Sequence, residues 1–423
     1  MTAHKNSGNS IGNHWRNEAL FYTMLLMILG LFLSRATLSI AILLFLAFAM
    51  VHLNFIKQVK AFFTTPYPAI FSLLFFIPLL SGLWSSDMNK WSDVVRIKLP
   101  LLFIPLAFAG NWKLSATQWL LIAAIFLMLV FGGCVWGLID YWQNTAQIHE
   151  DYLKAKTIRT PLENDHVRFS WLVSVAVILC FLLLAGSRQR LERMVLSALL
   201  IFFTIYLHIL SARTGLFSLY IFILLYAGWL LQKNKNRKWA VASLVLLLAL
   251  PLAAYFVLPT FKARLLYNLY DLSFARKSEY LPGSSDGART MSLKAGWQVL
   301  QQNPLGAGAG DVRAEADKWY TANVPQVLPT DKFNPSSEWL MYGGFAGWPG
   351  VILFTVVMVL PFIYRPGSHP VFWTAFHATA AFSFAFDMGL EVQYGVFLYV
   401  FITFWWWKWL NGNRQTLPKF AAS

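Results

Sequence analysis

Three arginines stand where an apolar run or an amphipathic stretch begins, and no other residues in the chain constrain its chemistry as much. Arg168 opens one run in Asn164-Asp165-His166-Val167-Arg168-Phe169-Ser170, Arg213 opens another in Ser211-Ala212-Arg213-Thr214-Gly215, and Arg289 begins an amphipathic stretch. Charged side chains at membrane depth are costly and are usually retained for function. A guanidinium stays charged at any relevant pH and presents forked donors that match phosphate oxygens in pairs, so converging arginines suit a lipid-linked diphosphate. The competing reading is that each arginine snorkels to the membrane surface and merely anchors its helix.

A second feature is Asn303-Pro304-Leu305-Gly306-Ala307-Gly308-Ala309-Gly310-Asp311. Its glycines permit positive φ and a close approach of backbone N–H groups to an anion, although a helix-ending turn uses the same residues. It does not continue into a Gly-Lys-Ser/Thr phosphate loop or sit in a strand-to-helix unit, which argues against nucleotide binding. The two cysteines, Cys134 and Cys180, lie inside apolar runs with no Cys/His cluster beside them, so disulfide, zinc and iron–sulfur chemistry are not expected. No cofactor and no metal are expected.

The elements that must position these arginines are membrane helices. Of 423 residues 57% are hydrophobic and only 13% charged, where soluble proteins carry about a quarter charged residues. Apolar runs of spanning length place twelve helices at 19–33, 37–55, 67–84, 97–110, 117–139, 168–186, 193–210, 214–231, 239–258, 337–362, 369–387 and 391–410. The first run follows a polar stretch of 18 residues and leads directly into the second, so it reads as a span and not a cleaved leader. Leu99–Gly110 is short enough to be re-entrant, giving eleven or thirteen spans instead.

With twelve spans both termini share one side. Sixteen basic residues then fall on that side, among them Lys5, Arg16, Arg188, Arg190, Arg193, Lys233, Lys235, Arg237, Lys238, Arg414 and Lys419, against only Glu18 and Glu192. That face carries +14 of the +15 net charge, which is the positive-inside bias of an inner-membrane protein. Nucleic acid is not needed to explain the charge. The chain reads as one membrane domain over 1–423 with an outer insertion at 259–336, in which Thr290–Gln302 has the spacing of an amphipathic helix. A shorter outer segment runs from Asp140 to Val167.

These residues resemble the O-antigen ligase and O-antigen polymerase superfamily of bacterial membrane glycosyltransferases. Four stretches carry the resemblance: Leu83-Trp84-Ser85 leading to Arg96-Ile97-Lys98-Leu99-Pro100; Ser211-Ala212-Arg213-Thr214-Gly215; Arg289, 14 residues before Asn303-Pro304-Leu305-Gly306-Ala307-Gly308; and Glu338-Trp339-Leu340 followed by Gly347 and Gly350. The resemblance implies an all-α glycosyltransferase of the C class, acting on the periplasmic side. It takes a glycan from undecaprenyl diphosphate in the membrane and joins it, with inversion, to a sugar hydroxyl. The acceptor is lipid A core for a ligase or another repeat unit for a polymerase. Family members look metal-independent, with arginines holding the diphosphate, a role that carries over onto Arg213 and Arg289 with Arg168 as a third.

One departure stands out. The family usually reads His-Asn before the Glu-aromatic-Leu stretch, and here those positions are Ser336 and Ser337. A serine cannot act unaided as a general base near neutral pH. Glu338, Asp311 and His166 are the other groups that could serve, and Glu391 and Gln393 are placed to orient an arginine or bind sugar hydroxyls. Trp405, Trp406 and Trp407 beside Lys408 read as an interfacial belt, Trp297 and Trp319 as platforms for sugar rings, and Trp339 as a core residue before a sugar platform. The reading is an O-antigen ligase. A transporter of lipid-linked sugars is the rival of a different class, but transporters place charge near the bilayer midplane on broken helices. Because no carboxylates or histidines cluster at ligand spacing on the outer side, glycan transfer by the purified protein should survive excess chelator. Turnover lost to chelation and restored by a divalent ion would contradict that expectation.

Overall fold

A computed structural model describes residues 4–154, 156–232, 237–277 and 280–412. Lys233, Lys235, Arg414 and Lys419 of the basic set lie outside the described residues. Among the described residues every regular element is helical. Among the described residues eight helices are long and apolar enough to cross a membrane, or nine if the bent pair Arg35–Met50 and Phe55–Thr64 counts as one span.

Differences from the expected twelve spans have local causes. The run 37–55 is interrupted after Met50, and the chain bends by 100° into Phe55–Thr64. Leu99–Gly110 holds only the nine-residue helix Pro100–Phe108, entered by a proline just after Met88–Lys98. Near the C-terminus, Pro370–Phe386 has 17 residues and Gln393–Gly412 has 20. The latter is the packing centre of the bundle, with 15 of its residues buried. That burial corrects the reading of Trp405 and Trp406 as an interfacial belt. Both have no exposed surface, Trp405 packing on Phe126 and Trp409 and Trp406 on Phe376. A helix surrounded by protein fills its shell with large rings, whereas Arg237–Val257, which buries only Ala240 and Ala254, is aliphatic through its middle and carries its rings, Trp239, Tyr255 and Phe256, near its ends.

Capping residues set where several helices start. Ser115 and Gln118 form a reciprocal capping box at the head of Ala116–Gln143, and Asp165 accepts from the Arg168 backbone N–H at the head of His166–Leu184. Just before Asp165, Leu162, Glu163 and Asn164 all have left-handed φ of 57–66°. The turn is held by Asn164, whose side-chain oxygen accepts from the Thr160 N–H, and by the Glu163–Arg35 ion pair at 2.5 Å.

Polar contacts tie the bundle at two opposite ends. At one, Arg16 donates to Phe48 O and Ala49 O, and Lys408 donates to Phe108 O and Gly110 O over the Trp112 ring. At the other lie the starts of His166–Leu184, Arg213–Gln232 and Glu338–Ile363 and the turn 387–391. The 259–336 stretch joins this second end. It begins with Pro259–Lys277, which follows Arg237–Val257 across the single residue Leu258, and continues with Asp286–Gln302 and Val312–Asn323. The last two helices share a small core of Ala295, Val299, Ala316, Tyr320 and Val327. Cys134 and Cys180 are both buried, so surface labelling has little native background. A cysteine introduced at exposed Thr321 should react with an impermeant thiol reagent in intact cells, and one at exposed Gln189 should not. The reverse pattern would overturn the assignment of the insertion to the outer side.

Candidate functional site

The start of Asp286–Gln302 is fixed by a residue outside it. Asp271 is fully buried, and its carboxylate accepts from Ser285 N at 2.8 Å, Asp286 N at 2.7 Å and Gly287 N at 3.3 Å. A carboxylate on the free amides of a helix N-terminus is favourable and holds that end in place. Asp286, so fixed, pairs with Arg213, whose other terminal nitrogen donates to Asn268 at 2.9 Å. Arg289 follows on the next turn and is drawn toward the same group.

Four arginines meet here. Arg289 lies within charge–charge reach of Arg213, Arg168, Asp286 and Asp387. Arg264, on Pro259–Lys277, faces Arg213, Asp286 and Tyr152. His166 faces Arg264, Arg168, Arg289 and Asp165. Arg168 is paired with Asp387 at 2.8 Å and donates to Met388 O at 2.9 Å.

The pairing is uneven. Arg168 and Arg213 each have a carboxylate partner, although the Arg168 Nε is buried without an acceptor, and the Arg289 guanidinium makes no hydrogen bond or ion pair among the described residues. Arg264 is only 6% exposed, its guanidinium carbon sits 5.5 Å from the centre of the Tyr267 ring, and two of its nitrogens are buried without a partner. Burial pulls the basicity of Arg289 and of Arg264 below the ordinary guanidinium value; for Arg289, Asp387 acts against it, and for Arg264, Arg213 adds to it. Guanidinium groups remain charged under such shifts, so they are cations whose donors lack acceptors. A buried donor without an acceptor is unfavourable by about 1–3 kcal/mol, more when charged. An anion at this point removes that penalty.

Other residues singled out in the sequence are placed nearby or elsewhere. The Ser336 hydroxyl is buried against Ser292 at 2.7 Å, one turn beyond Arg289, and ties the entry of Glu338–Ile363 to the arginine-bearing helix. Glu338 has no exposed surface and accepts from Leu390 N at 2.5 Å. Glu391 pairs with buried Lys98 at 2.5 Å, and Lys98 also donates to Leu390 O. These contacts correct the expectation that Glu391 orients an arginine, because its charge is neutralised by a lysine instead. Gln393 donates to Ser39.

Asp311 is committed to Ser86 N at 2.6 Å and Asp87 N at 3.3 Å, away from the arginines. The glycine segment is likewise structural. Ala307 N and Gly308 N donate to Gly344 O, and Ala309 N and Gly310 N to the hydroxyls of Ser81 and Ser85. Gly306 and Gly308 have φ of 97° and 98°, and a Cβ at either would collide with Phe345–Ala346 or Ser85. The glycines therefore serve close packing against the kink at Ala346–Gly347, and their amides are not turned to an anion. Trp339 donates to Thr355 and packs edge-on against Phe354, a core role.

Arg264, Asp286 and Asp387 were not marked by the sequence, and Lys98 was marked only as part of a stretch that carries the resemblance, with no role assigned. Asp387 had the same signal as the arginines, a charge ending an apolar run, with the opposite sign. Arg264 is reached only if the helix continues past Pro259 into what reads as a loop. Among the described residues, no three His, Cys, Asp or Glu side chains gather as a metal site.

Residues 197–355 fit the family model described as O-Antigen ligase. The match spans 159 of the 423 residues and includes Arg213, Arg264, Asp286, Arg289, Ser336 and Glu338. Three of the four stretches that carry the resemblance lie within it, and the superfamily resemblance stands. No curated protein matches the chain.

Lys98 lies between the carboxylates of Glu391 and Glu338. Breaking a buried pair from one side leaves an uncompensated charge, at a cost of about 3–5 kcal/mol. Lys98→Met should therefore markedly lower the unfolding temperature of the solubilised protein, and adding Glu391→Leu should recover most of the loss. Equal stability of the single variant and the parent would remove the pair from the account.

Proposed function

We propose, from a chain that carries an O-antigen ligase domain at residues 197–355, that it moves a glycan from undecaprenyl diphosphate to a sugar hydroxyl of lipid A core. The reaction takes place on the periplasmic face of the bacterial inner membrane, without a metal ion. The observation that carries this reading is the convergence of four arginines of which Arg264 and Arg289 keep unpartnered donors.

The acceptor oxygen attacks the anomeric carbon and the bond from that carbon to the bridging phosphate oxygen breaks. The electron pair goes to the lipid diphosphate, which departs, and the anomeric configuration inverts. Negative charge therefore grows on the leaving group as the bond lengthens, and preorganised donors in a site with little water stabilise it most where it grows. Arg264 and Arg289 have donors free to meet the diphosphate. Arg168 and Arg213, fixed by Asp387 and Asp286, hold the positive field in place.

The proton of the acceptor hydroxyl goes to His166. Its ring is half-buried, makes no hydrogen bond among the described residues and lies among the arginines, and a neutral imidazole offers one ring nitrogen as an acceptor for that proton. This assignment replaces the histidine that the family carries at the position of Ser336, whose hydroxyl is bound to Ser292.

Deletion of the gene in its host, followed by gel analysis of surface glycans, should leave unligated lipid-linked polymer that the intact gene restores. Accumulation of single repeat units would assign a polymerase instead. Restoring with Arg213→Ala, Arg264→Ala or Arg289→Ala should give transfer about 10²–10³-fold lower, the scale for one charge-stabilising donor. Replacement with Lys should rescue only in part, because a point charge lacks the two-pronged contact. His166→Ala should fall by about 10²–10⁴-fold and Ser336→Ala only a few-fold. Near-normal transfer by all the arginine variants at equal membrane levels would mean that the diphosphate is held elsewhere.

A further inference from the structure

A groove of about 470 Å³ lies between Asp286–Gln302 and Val312–Asn323 in the outer insertion. Trp297, Trp319 and Tyr280 contribute aromatic walls, with amides from Gln298, Gln301 and Asn323 between them. Among the described residues Lys294 is its one charged lining residue, and no described carboxylate lines it. Flat aromatic faces alternating with side-chain amides are what a carbohydrate needs: apolar ring faces for stacking, and paired donors and acceptors for vicinal hydroxyls.

The walls are fixed without a ligand. Trp297 is 47% exposed and packs edge-on against Trp348, Trp319 packs against Tyr320, and Tyr280 donates to Asp331 at 2.7 Å. Position decides which saccharide belongs here. Gly287 and Thr290 line the groove next to Asp286 and Arg289, which turn to the arginine cluster. Gly287, Met291, Lys294, Gln298 and Gln301 recur every three or four residues, so they form one stripe along the helix, about 21 Å long. A sugar chain attached to a diphosphate at the arginines has this stripe as its continuation.

We infer that this groove binds the neutral or anionic glycan chain of the lipid-linked donor over several sugar units, so that the insertion sets which glycan is transferred. The inference rests on the arginine cluster holding the donor's diphosphate. The test separates the two by using two probes on the purified full-length protein. One is the saccharide released from the host's lipid-linked glycan by mild acid, titrated by calorimetry. The other is farnesyl diphosphate, which has no sugar.

Trp297→Ala and Trp319→Ala should each weaken saccharide binding at least about tenfold, the scale for truncating a buried aromatic anchor, and leave farnesyl diphosphate binding unchanged. Trp297→Phe should recover part of the affinity, which distinguishes a lost stacking surface from a misfolded insertion. Saccharide affinity that is absent in the parent protein, or unaltered in both Ala variants, overturns the groove assignment. The diphosphate site is judged separately: farnesyl diphosphate should bind the parent and fail to bind Arg264→Ala or Arg289→Ala, whatever the saccharide does.

Discussion

Charge cannot be left alone in a protein interior, and the turn at 387–391 is where this bundle satisfies that constraint. Three side chains from three different helices converge on these five residues. Arg168 binds Asp387 and Met388 O, Lys98 binds Glu391 and Leu390 O, and Glu338 accepts from Leu390 N. The turn leads directly into Gln393–Gly412, the most enclosed helix of the bundle. Moving any one of these groups strands a buried charge, so the turn, the central helix and the orientation of Arg168 are coupled energetically. The arginine that faces the candidate site is thus held by the same contacts that seat the core.

A second chain of contacts attaches the insertion. Asp271 caps the start of Asp286–Gln302, Asp286 then reaches Arg213 at the start of Arg213–Gln232, and Ser292 binds Ser336 at the entry to Glu338–Ile363. The insertion is therefore fastened at both sides of Arg289. Rigid seating matters because a donor stabilises developing charge only if it need not reorganise when the charge appears.

Much of this was legible in the sequence, and what was not legible has a common physical origin. Apolar runs located eight membrane-length helices out of the twelve spans expected, and Arg168, Arg213, Arg289 and His166 were visible because charge at the start of an apolar or amphipathic stretch is costly and so conspicuous. Pairing was invisible. That Glu391 would find Lys98, almost three hundred residues away in sequence, or that Asp311 would be bound by the backbone at 86–87, depends on which helices are neighbours. The buried tryptophans Trp405 and Trp406 were misread for the same reason, since a Trp-rich helix end looks alike at a membrane surface and inside a bundle. Arg264 was missed because 259–336 reads as a loop, and the one mark of a helix restarting there is Pro259 at its first position.

The uneven pairing of the four arginines divides their work. Arg168 and Arg213 have their charge met by Asp387 and Asp286, which reduces their attraction for a further anion and fixes their position. Arg264 and Arg289 keep donors for a ligand, and they are the ones whose burial is least compensated. On the proposed reaction the ligand's charge is not constant: the diphosphate gains negative charge when its bond to the sugar breaks. Donors that favour the departing group over the bound substrate lower the barrier, because only interactions stronger in the transition state accelerate the step. The same donors then hold the free lipid diphosphate more tightly than the substrate it came from. Release of that product, and not the bond exchange, is the step that such a site slows.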